Sequence, residues 1–210
     1  MSHSCCETGC AAPAATANPR YRRILWAALW INAAMFVVEL VSGWRAGSVS
    51  LLADAIDFFG DAANYGVSLA VLGLSLAWRA RAAALKGLTM GAFGVFVLAR
   101  AAWTIATGGV PEPLTMGVVG ALALLANVSV AVMLYAWREG DANMRSVWLC
   151  SRNDAIGNLA VMAAALGVFG TGHGWPDVAV ASIMGALALS AAWSVLRQAR
   201  VELQAVAASR

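Results

Sequence analysis

The sequence predicts an all-α membrane protein with six transmembrane helices, both termini cytoplasmic and no soluble C-terminal domain. Composition is the first sign: 61% of the 210 residues are hydrophobic and 12% charged, and the mean hydropathy is +0.73, far from the balance of a water-soluble domain. Six apolar stretches reach the roughly 20 residues needed to cross a bilayer. The basic residues then segregate onto alternate connections, which gives the stretches a direction.

The first span covers about 24–44 and stops at Arg45-Ala46-Gly47. The second, about 48–77, ends where Arg79, Arg81 and Lys86 are expected to form a polar join. The third, about 85–107, is broken by Gly108-Gly109-Val110-Pro111-Glu112-Pro113, and the fourth, about 114–136, by Arg138-Glu139-Gly140-Asp141. The fifth, about 145–170, meets Gly172-His173-Gly174-Trp175-Pro176, and the sixth covers about 175–196, with Ala191 to Ala208 able to continue its helix. Glycine and proline fall where a helix should stop. Eleven Lys and Arg lie in the N-terminal arm, the second and fourth connections and the C-terminal tail, against Arg45 alone in the other three connections. The positive-inside rule therefore puts both termini in the cytoplasm. The organisation expected is a flexible arm over 1–19, a six-span domain over 20–196 and a short tail over 197–210. The formal charge of +3 comes from few charges, and nothing in it points to nucleic acid. The N-terminus has no basic stretch followed by an apolar core, so no cleaved signal is expected. No serine, threonine or cysteine stands beside a histidine in any span, so no covalent catalysis is expected.

Asp57 and Asp61 stand one turn apart on one face of the second span. An ionised side chain at that depth costs at least ~2.5–3.5 kcal/mol, so it faces a partner, a cavity or an ion path. Cys150 and Asp154 repeat the i, i+4 spacing on the fifth span, which runs the opposite way. Counting ~1.5 Å per residue puts Asp57 and Asp154 near the midplane, with Asp61 and Cys150 one turn nearer the cytoplasm. Three carboxylates and a thiol suit a tetrahedral divalent metal site: thiolate favours zinc or cadmium, oxygen favours iron or manganese. Alternatively, Cys150 is a small buried apolar residue and the aspartates form an internal ion pair. Asn158, one turn beyond Asp154, is a candidate further ligand or gate. Asn32, Asn64 and Asn127 are expected to bond between helices.

Glu39, Asp54 and Arg100 fall within about 10 Å of the outer face by the same counting, where Arg100 is expected to neutralise one or both acids as a structural charge cluster. Arg152 either snorkels inward or serves as a fixed counter-charge to the carboxylates. In the N-terminal arm, His3, Cys5, Cys6 and Cys10 are thiol and imidazole groups close enough to chelate a soft metal, on an Ala/Pro-rich tether from Ala11 to Pro19 that could deliver it to the pore; the alternative is a disordered tail with incidental cysteines.

Glu39-Leu-Val-Ser-Gly43, then Ser48-Val-Ser-Leu-Leu-Ala-Asp-Ala-Ile-Asp-Phe-Phe-Gly-Asp61, Asp154-Ala-Ile-Gly-Asn158 and Trp175-Pro-Asp177 resemble the cation diffusion facilitator family over roughly residues 24 to 196. The resemblance implies export of a divalent metal such as zinc, cadmium, cobalt, iron or manganese, typically in exchange for protons, by a homodimer. It also implies a transport site at Asp57, Asp61, Cys150 and Asp154, although the family usually has His or Asp where this chain has Cys150. Members usually carry a cytoplasmic C-terminal metal-binding domain; only about 14 residues follow the sixth span, so none is expected here and dimerisation is expected to rest on the spans. The function expected is zinc- or cadmium-type efflux by alternating access in a bacterial inner membrane. The alternative is a transporter-like sensor or subunit that binds metal without moving it alone.

Overall fold

The computed structural model describes residues 19–70, 76–137 and 142–208, with the backbone course alone over 142–153 and at 68, 76, 77, 79, 86, 137 and 208. Six long helices account for nearly all of it: α1 (Pro19–Ala46), α2 (Val49–Ala70), α3 (Leu76–Thr107), α4 (Pro113–Leu134), α5 (Ala142–Thr171) and α6 (Trp175–Ala208), with a 3₁₀ turn, Tyr135–Trp137, after α4. Among the described residues there is no strand.

Five of these helices are long and apolar enough to cross a membrane. The exception is α2, in which every 18-residue stretch contains Asp54, Asp57 and Asp61. Such a helix cannot face lipid, and the packing obeys that constraint. Neighbouring elements pair as α1 with α2, α4 with α5 and α3 with α6, while α2 touches all five other helices. It also enters each apolar cluster. Val49, Leu52, Ala53 and Ile56 pack with Val97 and Ala101 of α3 and Val178, Ala181 and Ala188 of α6. Tyr65 packs with Tyr21, Leu25 and Ala28 of α1 and Val130 and Leu134 of α4. Leu51 packs with Met116 and Val119 of α4 and Val161, Ala164, Ala165 and Val168 of α5. Large side chains such as Trp30, Leu114, Leu125, Phe169 and Trp193 point outward, as a lipid-facing surface requires.

The expected polar join at Arg79, Arg81 and Lys86 is helical instead, because α3 starts at Leu76. Its run Ala77-Trp-Arg-Ala-Arg-Ala-Ala-Ala-Leu-Lys86 consists mostly of strong helix formers with no Gly or Pro to break it. Arg81 lies over the Trp78 ring, 5.1 Å from its centroid. The expected end of the second span, 71–75, lies outside the described residues, and α2 is described to Ala70. At the other end of the chain, α6 runs on to Ala208.

The three remaining tight connections lie on one face of the bundle. Each helix entering that face ends in a left-handed glycine, Gly47, Gly108 or Gly172, the conformation that terminates helices without a Cβ penalty. Ser48 N–H closes α1 onto the Gly43 carbonyl at 3.0 Å, and Glu112 N–H reaches the Ala46 carbonyl at 2.9 Å. The Glu112 carboxylate caps α4 by accepting from Leu114 and Thr115 N–H, ahead of Pro113 in the first turn.

Candidate functional site

The stripe that makes α2 polar runs along one face: Asp54, Asp57, Asp61 and Tyr65, three or four residues apart. Its start is anchored from α6. Asp177, fully buried, accepts hydrogen bonds from Ser48 Oγ (2.7 Å), Val49 N–H (2.7 Å) and Ser50 N–H (3.0 Å). A carboxylate on the free N–H groups of a helix N-terminus is the electrostatically favoured cap, here supplied by another helix. On the side of α2 away from Asp57 and Asp61, Phe59 packs against Phe36 of α1 and Phe93 of α3, with ring centroids 5.5 and 6.1 Å away.

The next anchor sets α5 against α2. Asn158 Nδ2 donates to Asp54 Oδ2 at 2.6 Å, and Asn158 Oδ1 accepts from Asn127 Nδ2 of α4 at 2.9 Å. All three residues are buried. The helices are antiparallel, so this bond fixes which residues share a level. Asp57 is three residues beyond Asp54 and Asp154 four before Asn158, or ~4.5 Å against ~6 Å along the axes. Asp61 and Cys150 follow at ~10.5 Å against ~12 Å. The backbone register therefore sets Asp57 beside the level of Asp154, and Asp61 beside that of Cys150.

Asp61 is buried and accepts from Tyr65 Oη at 3.2 Å. Asp57 and Asp154 are half-buried. Among the described residues no three His, Cys, Asp or Glu side chains converge closely enough to hold a metal ion. The Cys150 and Arg152 side chains lie outside the described residues, as do His3, Cys5, Cys6 and Cys10. The structure thus aligns the levels of the four expected ligands without drawing the three described carboxylates together.

Two expectations about the surrounding polar residues are corrected. Arg100 does not neutralise Glu39 or Asp54: its guanidinium sits over the Trp44 ring, 5.5 Å from the centroid, and its buried Nε has no hydrogen-bond partner. The aromatic face competes successfully for the cation because Trp44, stacked on Phe96 with 9° between the rings, lies within reach across α1 and α3. Asn32 bonds back to the Ala28 carbonyl of its own helix at 2.8 Å instead of crossing to a neighbour, the i−4 bond always available to a short polar side chain. Asn158 has both ends of its amide engaged in the inter-helix network, with Asp54 and Asn127 as partners. Two contributors went unrecognised in the sequence, Tyr65 and Asp177. The i, i+4 step from Asp61 to Tyr65 was available as a signal, whereas nothing local marks Asp177 as the cap of a helix that begins 128 residues earlier.

The cation efflux transmembrane domain matches residues 25–204 of this chain. The metal cation efflux system protein CzcD of Cupriavidus metallidurans is 25% identical over 83% of this chain and 59% of its own length. The zinc transporter ZitB of Escherichia coli is 28% identical over 97% of this chain and 68% of its own, and ZitB of Pectobacterium atrosepticum is 28% identical over 90% and 62%. The chain spans about three-fifths of the length of CzcD and of the Pectobacterium protein. With that domain matched from α1 into α6 on a bundle of apolar helices, this is a multi-pass protein of the bacterial inner membrane, and it belongs to the cation efflux family, the cation diffusion facilitators.

Proposed function

We propose that this chain exports a divalent metal cation, with zinc or cadmium as the preferred cargo, and that Asp57, Asp61, Cys150 and Asp154 are its ligands. The observation that carries the reading is the Asn158–Asp54 bond, whose register sets those four positions at two matching levels of α2 and α5. The names of the relatives support the cargo: metal cation efflux for CzcD and zinc for ZitB. A carboxylate away from water loses its charge by binding either a proton or a metal, so the two compete for one site. That competition couples metal moving outward to protons moving inward. Cytoplasmic metal displaces protons from the carboxylates and thiol, the helices rock around the midplane, and protons from outside release the metal. Pairing of two copies rests on the outward apolar helix faces, and the N-terminal Cys/His arm hands metal to the cytoplasmic mouth.

The test is zinc-driven proton flux in proteoliposomes containing the purified full chain. Asp57→Asn and Asp154→Asn should each abolish it, and full activity in either variant overturns the ligand assignment. Saturable zinc binding without flux in the wild type would make the chain a metal sensor or subunit.

A further inference from the structure

Glu39 of α1 is completely buried, and neither carboxyl oxygen meets a hydrogen-bond donor. The charged groups acting on it are Asp54, against which its carboxyl lies, and Asp57, both on α2. The packed helix α4 carries no charged residue, α5 presents the neutral amide of Asn158 to Asp54, and Arg100 of α3 is engaged with Trp44. Among the described side chains no cation faces the pair, and two carboxylates facing each other in an apolar bundle then cannot both remain ionised. Asp54 already accepts from Asn158. Glu39 has a full need for a donor and finds none among the described residues, which the neutral acid removes by donating its own O–H to Asp54.

We infer that Glu39 and Asp54 form a proton-binding site that holds one proton between them, distinct from the four proposed metal ligands. A metal ion is the poorer occupant, because among the described residues no third His, Cys, Asp or Glu joins the pair at ligating distance. The network Asn127–Asn158–Asp54–Glu39 then spans α4, α5, α2 and α1, and its only mobile charge is this proton. Protonation decides whether the end of the network at α1 is a hydrogen bond or a repulsion between two anions. The inference stands on the geometry of Glu39 and Asp54 and does not need the transport reading.

Infrared spectroscopy of the full chain in lipid bilayers tests it through the C=O stretch of a neutral carboxylic acid. At neutral pH the wild type should show such a band, shifted in heavy water. Heavy-carbon labelling of glutamate should move the band without any substitution; Glu39 is the buried glutamate among the described residues, Glu112 being exposed and Glu202 half-buried. Glu39→Gln should remove one carboxyl's worth of intensity, Asp54→Asn should shift the frequency, and Asp57→Asn should leave the glutamate band in place. A wild-type spectrum with no label-sensitive acid band at neutral pH, or a glutamate band that survives Glu39→Gln, overturns the site. Flux assays on the metal ligands read the export proposal separately, so either reading can fail while the other holds.

Discussion

Asn158 on α5 donates to Asp54 on α2 at 2.6 Å while accepting from Asn127 on α4, so one side chain ties three helices and sets the level of every group along α2 and α5. Asn158→Ala removes both bonds and leaves the Asn127 amide buried with one partner fewer. The expected loss is about 1–3 kcal/mol, read as a lowered midpoint in thermal unfolding of the detergent-solubilised protein. Metal-driven flux should fall with it, because α5 is free to slide relative to Asp57 and Asp61. Unchanged stability would show that the network is incidental to the packing.

Asp177 should prove as important as any residue in the spans. Its carboxylate satisfies three donors at the start of α2, and no other acid among the described residues does the same. Asp177→Ala strips the first turn of α2 of that cap and is expected to destabilise the protein by roughly 2–3 kcal/mol. Asp177→Asn, which keeps an oxygen but loses the charge, should fall between. Hydrogen exchange localises the effect: faster exchange at Val49 and Ser50 is expected in both variants, and unaltered exchange there would refute the capping role.

The sequence showed the fold where composition and punctuation govern it. Gly47, Gly108 and Gly172 mark helix ends that need a left-handed residue, and the lipid-sized apolar runs between them are hard to misread. The join between α2 and α3 was misplaced because charge suggested a loop, whereas helix propensity around Arg79, Arg81 and Lys86 sustains a helix. The pair Asp57 and Asp61 was legible from spacing, whereas Asp54, assigned to a separate charge cluster with Glu39 and Arg100, joins them on one face of α2. What spacing could not reveal was the partner: whether Arg100 turns to an acid or to Trp44 depends on a cross-helix geometry that has no local signal.

Gly174 passes so close to the Gly109 carbonyl that an added Cβ would collide with it. Gly174→Ala should therefore push the α3–α4 and α5–α6 connections apart at a cost of about 1–3 kcal/mol, seen as a lowered unfolding midpoint. Gly170→Ala is the control, since nothing lies within 4 Å of its Cβ position, and it should be neutral or slightly stabilising.

Glu112 gives the pH dependence a defined sign. Its hydrogen bonds with Thr115, then Leu114, hold its carboxyl below the usual range. A carboxyl lowered by folding contributes stability that is fully present above its unfolded pKa and lost as pH falls through the folded one. The difference in unfolding midpoint between wild type and Glu112→Gln should therefore be constant near neutrality and vanish in acid. A difference that persists below the carboxylate range would assign the effect to packing.

Cys150 is where cargo choice should be adjustable. With a thiolate among the ligands, the site favours cadmium and zinc over harder ions; replacing it by an oxygen ligand should move the preference towards manganese and iron. Cys150→Asp, measured by competition between cadmium and manganese in flux assays on proteoliposomes, should lower the cadmium-to-manganese ratio by about tenfold or more, a change of at least ~1.4 kcal/mol. Cys150→Ser should weaken cadmium without the full gain in manganese, because a neutral hydroxyl neither replaces the thiolate charge nor supplies a second oxygen. If both variants retain the wild-type ratio, the thiol is a packing residue, and the fourth ligand must come from elsewhere on α5 or from water.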